Sequence, residues 1–442
     1  MALRFTLVAL MALNVFISFG DRMNLAVAVT TMETVPGMEF IEKNSGIIFG
    51  VFYIGYTINQ TIAGYLSDRF GSKWVLFAAC FVWSVAEVLT VFAAKKLWSF
   101  ILIRIILGAG EGLAFPAIHS FIATFMLKKE RPTVVAISQA FCYSGSVGAL
   151  LFTPMIIKYH SWELVFILFG LAGFLWLVPW TVLAANCPAT SKWMSEEEKN
   201  LIALDNQDEE SCKNIVELKE GISKDTQSDS EFKSEESDKL QVPWKKILTS
   251  KPVWAVICCQ FATGYLFYVL LNYLPKYLEE VYEYEQEVAA NLIIIPYVIQ
   301  FLLTILCGYL NTLNFSKRFR RNAFQLLSMW GSSGLLMLSR LLLSFGFKHL
   351  SLVCLFGATV SYAFCVYGVQ VSHIDFCSPQ YAGIVFGIGN TFGNLAGAVA
   401  CIISDIVRQA LGWTYSFGIC ALIMVAASIV WIFWSSVEMK IE

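Results

Sequence analysis

The 442-residue chain is strongly apolar: 57% of its residues are hydrophobic, 14% are charged, and its mean hydropathy is +0.63. A water-soluble protein could not bury that much apolar surface in one core. The net charge of −2 gives no indication of a nucleic-acid partner. We therefore predict a polytopic membrane protein that contacts the lipid bilayer.

The twelve cysteines predict neither a disulfide framework nor a metal site. Most stand singly in apolar runs, and Cys258 and Cys259 are adjacent, which suits neither a bridge nor a tetrahedral zinc site. No phosphate-cradling loop, nucleotide-binding domain or nucleophile–base pair stands out. We predict that the protein is not an enzyme and has no catalytic residue, no metal and no cofactor.

Apolar segments close to the ~20 residues that span a bilayer predict twelve transmembrane helices. Their approximate limits are 3–28, 45–66, 73–94, 97–124, 132–157, 161–184, 251–281, 288–312, 321–345, 348–374, 380–408 and 411–437. This pattern predicts an all-α membrane protein. Its domains are an N-terminal six-helix bundle (1–185), a partly disordered linker (186–250) and a C-terminal six-helix bundle (251–442).

The first span imitates a secretory signal peptide because Arg4 precedes a long apolar stretch. The apolar pattern continues through Asn24–Val29, however, and no small-x-small cleavage site stands out. We therefore expect this segment to be retained as a spanning helix.

The linker carries 25 of the 64 charged residues between Asn186 and Lys251. A capping box at Ser195 predicts a short helix through Leu204, and residues 205–240 have the composition of a disordered segment. Val242–Leu248 is expected along the membrane interface. Glu197 with Leu201 and Ile202 is compatible with an acidic dileucine sorting signal, although an amphipathic helix explains the same pattern.

Basic residues predict the orientation, because cytosolic loops are enriched in lysine and arginine. They follow the second, fourth and eighth spans, on the side that also holds both termini and the central loop: Arg69, Lys73, Lys128, Lys129, Arg131, Lys317, Arg318, Arg320 and Arg321. Loops on the opposite side are acidic. We expect the termini and central loop to face the cytosol.

Three charged residues lie inside apolar runs: Arg22, Arg104 and Glu111. A charge at bilayer depth costs about 3 kcal/mol on insertion scales, so it usually faces a protein interior or a water-filled cavity. Two permanent cations beside one titratable acid indicate a pathway for a small anionic solute.

The loop between spans two and three reads Gly64-Tyr-Leu-Ser-Asp68-Arg69-Phe-Gly71-Ser-Lys73. It resembles the G-x-L-x-D-R-x-G-x-K/R signature of the major facilitator superfamily. That resemblance implies a contact between the aspartate and the eleventh span, which latches the cytosolic side. The alternative is a tight turn with solvated charges.

The fourth span reads Arg104-Ile-Ile-Leu-Gly108-Ala-Gly-Glu111-Gly-Leu-Ala-Phe-Pro116-Ala-Ile-His119. Seven residues, about 10 Å, separate the arginine from the glutamate on one helix face. The segment resembles the anion-transporter family that contains sialin, the vesicular glutamate transporters and plant phosphate transporters.

Further matches to this family cover most of the chain, and the plant-type phosphate branch is the most similar. They are Arg22-Met-Asn24-Leu, Pro243-Trp-Lys-Lys, Pro252-Val-Trp-Ala, Tyr268-Val-Leu-Leu-Asn272-Tyr-Leu-Pro275, His373-Ile-Asp375, Tyr381-Ala-Gly-Ile and Gly387-Ile-Gly-Asn390.

The resemblance implies that Arg22 and Arg104 contact the anion and that Glu111 couples its movement to protons, with His119 as a second coupling candidate. Guanidinium groups bind carboxylate or phosphate through a planar fork. A buried carboxyl beside a cation can change protonation with substrate occupancy or conformational state. The alternative is an arginine–glutamate pair that only fixes helix packing.

Several weaker candidates complete the predicted site. Tyr53, Tyr268, Asn272 and Asn390 are expected to line the cavity, although aromatic residues in spans more often serve packing. His373 and Asp375 are candidate gate residues at the cytosolic end of the tenth span. Asp21 is expected to neutralise part of the charge of Arg22, although adjacent residues lie on different faces of a helix. Glu87 in the third span is a weak candidate for transport, because that end of the span is expected to reach the lipid headgroups.

Two positions depart from the vesicular glutamate branch. Phe49 stands where that branch has a histidine in the second span, and Thr263 where it has an arginine in the seventh. These replacements argue against glutamate handled in the same way.

The sequence therefore predicts secondary active transport by alternating access, with inorganic phosphate as the first candidate and an organic carboxylate or sugar acid as the second. Proton coupling is favoured over sodium. A carrier for a neutral or phosphorylated metabolite stays open, as does a transport-inactive receptor or scaffold that signals through the acidic linker. We expect a monomer in an internal membrane (Golgi, lysosome-like or vesicular), with the plasma membrane as the alternative.

Overall fold

The computed structural model describes residues 3–127, 130–205, 243–310, 316–377 and 379–438. This part of the chain is helical and contains no β-strand. Its helices are α1 Leu3–Met32, α2 Phe40–Phe70, α3 Ser72–Ala93, α4 Leu97–Phe125, α5 Arg131–Tyr159, α6 Trp162–Leu183, α7 Glu196–Asp205, α8 Trp244–Thr249, α9 Lys251–Tyr282, α10 Gln286–Leu310, α11 Lys317–Ser344, α12 Lys348–Ser361, α13 Val369–Phe376, α14 Pro379–Leu411 and α15 Trp413–Trp434.

Within the described residues, eleven helical segments are long and apolar enough to cross a membrane, and α12 with α13 counts as one of them. The helix α2, of 31 residues, supplies the remaining predicted span. The polar side chains Tyr53, Tyr56, Asn59 and Gln60 lie within it. The predicted all-α membrane fold is confirmed.

The spanning helices pack in two groups. Helices α1–α6 contact one another, α9–α15 contact one another, and the two groups meet along α1–α9, α2–α14 and α5–α10. Glycines allow the close approach of α2 and α4, because a Cβ at Gly55 or Gly108 would collide with the backbone of the facing helix. The exact domain limits at 185 and 250 stay a prediction.

The tenth span is broken, which the sequence did not indicate. Helix α12 ends at Ser361, a 3-10 segment covers Tyr362–Val366, and α13 starts at Val369. The buried side chain of Gln325 on α11 accepts a hydrogen bond from the Val369 backbone N–H at 2.9 Å. This contact satisfies a helix-start donor that would otherwise be unpaired inside the protein.

The predicted linker helix is present as α7, and Ser195 caps it by accepting a hydrogen bond from the Glu198 N–H at 3.3 Å. The Glu198 carboxylate in turn accepts from the Leu3 and Arg4 N–H groups at 3.2 Å each, so α7 is fixed to the start of α1. Ile202 is only 2% exposed. Since a dileucine signal needs both side chains accessible, the amphipathic-helix interpretation is supported. Most of the predicted disordered stretch 205–240 lies outside the described residues.

We call the end of the molecule that holds the start of α1 and the end of α15 the terminus side, and the opposite end the distal side. On the distal side, hydrogen bonds and ion pairs join the two groups of helices, and we call this set the distal seal: Glu33–Lys276 (2.7 Å), Gly46 N–Asp405 (2.9 Å), Gln286–Val27 O (2.6 Å) and Lys158–Glu287 (2.5 Å). The structure is therefore a state closed on its distal side.

Candidate functional site

The centre of the N-terminal group holds a buried ion pair. Arg22 on α1 donates from Nε to Glu111 Oε2 on α4 at 2.7 Å, and Ser18 Oγ donates to the same oxygen at 2.7 Å. Arg22 is 4% exposed and Glu111 is fully buried. Arg22 lies ten residues before the end of α1, about 15 Å along the helix, so the pair lies deep within the spanning region.

Both arginines keep hydrogen-bond donors that no described residue satisfies. These donors are Nη2 of Arg22 and both Nε and Nη1 of Arg104, and all three atoms are buried. Both side chains contact the Phe52 ring, whose centroid is 5.2 Å from Cζ of Arg22 and 5.1 Å from Cζ of Arg104. We call Ser18, Arg22, Arg104 and Glu111 the arginine site. Its unpaired donors are suited to an oxyanion.

Two more carboxyl groups lie beside the arginine site. Asp21 on α1 and Glu87 on α3 are both fully buried, and Asn24 Nδ2 donates to Glu87 Oε1 at 2.9 Å. Asp21 interacts electrostatically with Glu87, Glu111 and both arginines. The expectation that Glu87 reaches the headgroups is wrong, because the side chain turns into the helix bundle toward α1. We call Asp21 and Glu87 the acid pair.

A neutral cluster faces these charges from the C-terminal group and α2. Asn272 Nδ2 donates to the Tyr53 hydroxyl at 3.0 Å, and the Tyr53 and Tyr268 rings are 4.2 Å apart. The Tyr268 hydroxyl donates to Asn394 Oδ1 at 2.6 Å, and Asn394 Nδ2 donates to Gln60 Oε1 at 2.7 Å. We call these five residues the amide–tyrosine cluster. It brings three of the predicted lining residues together.

Two predicted residues lie apart from these clusters. Asn390 is half-buried, and its backbone carbonyl accepts a hydrogen bond from Asn394 Nδ2 at 2.9 Å. His119 is exposed and forms no described contact with Glu111, from which it is separated by eight residues of α4. A coupling role for His119 therefore stays a prediction with no supporting contact.

The loop motif between α2 and α3 is built as a tight turn. Gly71 has a φ of +84°, and a Cβ there would collide with the Asn186 side chain. Lys73 Nζ donates to the Thr181 carbonyl at 2.9 Å, which attaches the start of α3 to α6. Arg69 is exposed and donates to the Tyr65 hydroxyl at 3.2 Å.

The predicted latch of this motif onto the eleventh span stays a prediction. A Cβ added at Gly64 would meet no described atom within 4 Å. The side chain of Asp68 lies outside the described part of the chain.

The candidate gate residues of the tenth span lie on α13. Asp375 Oδ2 accepts from Arg321 Nε on α11 at 2.7 Å, so this carboxylate joins two helices of the same group. His373 is 9% exposed, with its ring 5.1 Å from that of Phe386 on α14. These contacts hold α13 to its neighbours, and a gating role for either residue stays a prediction.

At both positions that differ from the vesicular glutamate branch, the side chain is uncharged. Phe49 packs edge-on against Tyr273 at 5.5 Å, and Thr263 donates back to the Cys259 carbonyl at 2.8 Å. Neither position offers an ionic contact to a ligand.

Sequence reasoning missed Gln60 and Asn394, which bridge the two groups of helices, and the distal seal residue Lys276, which is 2% exposed. Polar side chains within otherwise apolar helices were the available indication, because such groups need partners inside the protein.

Comparisons with known proteins agree on one family. The family model described as Major Facilitator Superfamily matches residues 11–401. The chain is 28% identical to "Probable anion transporter 4, chloroplastic" of Oryza sativa subsp. japonica over 441 residues, which are 99% of this chain and 70% of that protein. It is 29% identical to "Sialin" of Ovis aries over 408 residues, covering 90% of this chain and 76% of the relative.

Solved structures show the same fold. The inward-open xylose transporter XylE from E. coli superposes with a TM-score of 0.73 at 16% identity, covering 98% of this chain and 96% of that one. At this identity the likeness concerns the fold alone.

Proposed function

We propose that this chain carries small anions by alternating access. It belongs to the major facilitator superfamily, and it is a multi-pass membrane transporter rather than an enzyme. The observation that carries the proposal is the pair of buried guanidinium groups with unsatisfied donors. A donor buried without a partner is costly, and an oxyanion would satisfy the donors of Arg22 and Arg104 together.

Inorganic phosphate is our first candidate substrate. Its tetrahedral oxygens can accept hydrogen bonds from both guanidinium groups at once, whereas a lone carboxylate offers only two oxygens. A relative named for phosphate transport supports this choice: "Sodium-dependent phosphate transport protein 1, chloroplastic" of Arabidopsis thaliana, which is 27% identical.

An organic anion with hydroxyl groups is the second candidate. The amide–tyrosine cluster supplies neutral donors and acceptors opposite the arginine site, and such groups suit the hydroxyls of a sugar acid. The relative named sialin is compatible with this alternative. The uncharged contacts of Phe49 and Thr263 argue against glutamate handled as in the vesicular branch.

Alternating access requires the distal seal to open as the terminus side closes. In the proposed orientation the terminus side faces the cytosol, so the structure represents a state closed toward the lumen or outside. We propose an internal membrane as the location, and a proton in preference to sodium as the coupling ion. Sequence reasoning puts that proton on Glu111.

Counterflow in proteoliposomes tests the proposal. Vesicles preloaded with phosphate, sialate, glutamate or a sugar phosphate are diluted into the radiolabelled anion, and exchange is compared with protein-free vesicles. Phosphate exchange that fails in Arg104→Ala but persists in Arg340→Ala supports the proposal, because Arg340 contacts Tyr277 and Thr414 far from the site. Absence of exchange with every anion would overturn it.

A further inference from the structure

The acid pair differs from Glu111 in how its oxygens are satisfied. Glu111 Oε2 accepts two hydrogen bonds, one of them from the guanidinium of its ion-pair partner, whereas its Oε1 has no described partner. Neither member of the acid pair forms an ion pair among the described residues, and both carboxylate oxygens of Asp21 and Oε2 of Glu87 are buried there without a hydrogen-bond partner. An ionised carboxylate in that position lacks the donors that normally stabilise its charge.

The groups that face Glu87 are few and can be named. From α1 come Asn24, which donates to it, and Asp21, three residues earlier on the same helix. From α4 come Arg104 and Glu111, which interact with it electrostatically. Among the described residues no carboxylate forms an ion pair with Arg104. Its positive charge therefore acts on Glu87, Glu111 and Asp21 at longer range.

The charges of the central cluster do not balance when every group is ionised. Two guanidiniums then face three carboxylates, Asp21, Glu87 and Glu111, and the cluster has a net negative charge that would repel an anion. In a medium of low dielectric constant this repulsion is strong. Neutralising both members of the acid pair leaves a net positive charge, which attracts one.

We propose that the acid pair, with Glu87 as its principal member, is the proton-carrying site that couples anion movement to a pH gradient, while Glu111 acts as the permanent counter-ion of Arg22. The proposal rests on the transport function proposed above and deepens it. Anion binding and protonation favour each other because linkage is reciprocal.

A proton fits this site better than a metal cation. The described residues contain no group of three or more histidine, cysteine, aspartate or glutamate side chains that could hold a metal ion. The unpaired oxygens of Asp21 and Glu87 with Oδ1 of Asn24 supply four potential ligands at most. A proton needs only one carboxyl oxygen and a neighbouring acceptor.

The test separates coupling from binding. Wild type, Glu87→Gln, Asp21→Asn, Glu111→Gln and the control Glu163→Gln are reconstituted, and each is assayed for phosphate counterflow without a gradient and for uptake driven by an imposed pH gradient. Glu163 is a suitable control because it lies in the first turn of α6 and belongs to neither the central cluster nor the distal seal. Glutamine has nearly the shape of protonated glutamate, so an exchange-competent but uncoupled carrier is expected.

We expect Glu87→Gln to keep counterflow and to lose gradient-driven accumulation by about tenfold or more, with proton uptake per anion reduced in parallel. The control keeps both activities. Unchanged coupling in Glu87→Gln and in the Asp21→Asn/Glu87→Gln double variant would overturn this inference. The inference would also be overturned if Glu111→Gln were the only variant that lost coupling while keeping counterflow. Failure of wild type in counterflow would instead reject the transport function itself.

A second variant covers the case in which Glu87→Gln does not fold. Asn24→Ala keeps the carboxyl but removes the donor that stabilises its ionised form. The pH at which uptake is half-maximal is then expected to rise. An unshifted pH profile for a folded Asn24→Ala protein would count against the proposal.

Discussion

The two halves of the central region are built from different chemistry. The N-terminal side contributes Arg22, Arg104 and three carboxyl groups, several of which have atoms without a described partner. The C-terminal side contributes Asn272, Tyr268 and Asn394, whose polar groups are joined to each other and to α2 by hydrogen bonds.

This difference assigns substrate recognition to the N-terminal half and contacts that close the two halves to the neutral groups. Unsatisfied buried charges gain most from a ligand of opposite charge, so the N-terminal half is suited to hold the substrate. Neutral groups that are already hydrogen-bonded across the two halves gain little from an anion. Their hydrogen bonds must instead break and re-form when the halves rock against each other. Substitutions on the two sides are therefore expected to have different effects.

The largest effect on transport is expected from the charged side. Arg104→Ala removes two unsatisfied donors and a positive charge, and we expect a loss of about 2–5 kcal/mol in phosphate affinity, seen as loss of uptake at substrate concentrations that saturate wild type. Arg104→Lys keeps the charge without the fork and should recover only part of the activity. Uptake equal to wild type in Arg104→Ala would contradict the assignment.

The next effect concerns stability. Glu111→Gln leaves the Arg22 guanidinium buried without its counter-ion, and we expect a destabilisation of about 3–5 kcal/mol. A thermal-shift assay in detergent measures it, with Ser18→Ala as the matched control, since that change removes only one neutral donor from the same oxygen. Equal melting temperatures for Glu111→Gln and Ser18→Ala would show that the ion pair is not a structural element.

A smaller effect is expected on the neutral side. Tyr53→Phe removes the hydrogen bond from Asn272 that joins the halves at mid-depth, which is worth about 0.5–1.5 kcal/mol. Phosphate affinity should stay within a few-fold of wild type, while the distal side opens more often. Alkylation of a cysteine placed at Ser45, which is fully buried in this state, would report that opening. A large loss of affinity in Tyr53→Phe would instead make Tyr53 a substrate contact.

The smallest effect is a pH dependence at the distal seal. Burial raises the pKa of Glu33 above its usual range, an effect that Lys276 opposes and that Glu42 and Glu280 reinforce. Glu33 therefore takes up a proton at a higher pH than an exposed glutamate would, and its ion pair with Lys276 weakens as the distal pH falls. We expect acid to increase distal opening in wild type but not in Glu33→Gln, measured with the same cysteine reporter.

The fold was predictable from the sequence because hydropathy follows bilayer thickness directly. The helix α1 and the α2–α3 turn with Gly71 appear where the apolar runs and the glycine predict them. An arginine–glutamate pair was also predictable, because charges at bilayer depth need partners, but only the structure shows that the arginine is Arg22.

Partners between distant helices were not predictable in the same way. The break near Gly368 depends on Gln325 of another helix, and the Gln60–Asn394 bond depends on how the two halves meet. Glu87 was misplaced because its position near the end of α3 indicated headgroup depth, whereas Asn24 on α1 receives it inside the bundle. Such contacts are set by tertiary packing rather than by local sequence.

The central claim is that Arg22 and Arg104 together form the anion site. Equilibrium binding of radiolabelled phosphate to purified protein tests it most directly, with wild type compared with Arg22→Gln/Arg104→Gln and with the control Arg340→Gln. The account predicts saturable binding to wild type and to the control and none to the double variant. Phosphate binding of equal strength in all three proteins would contradict it.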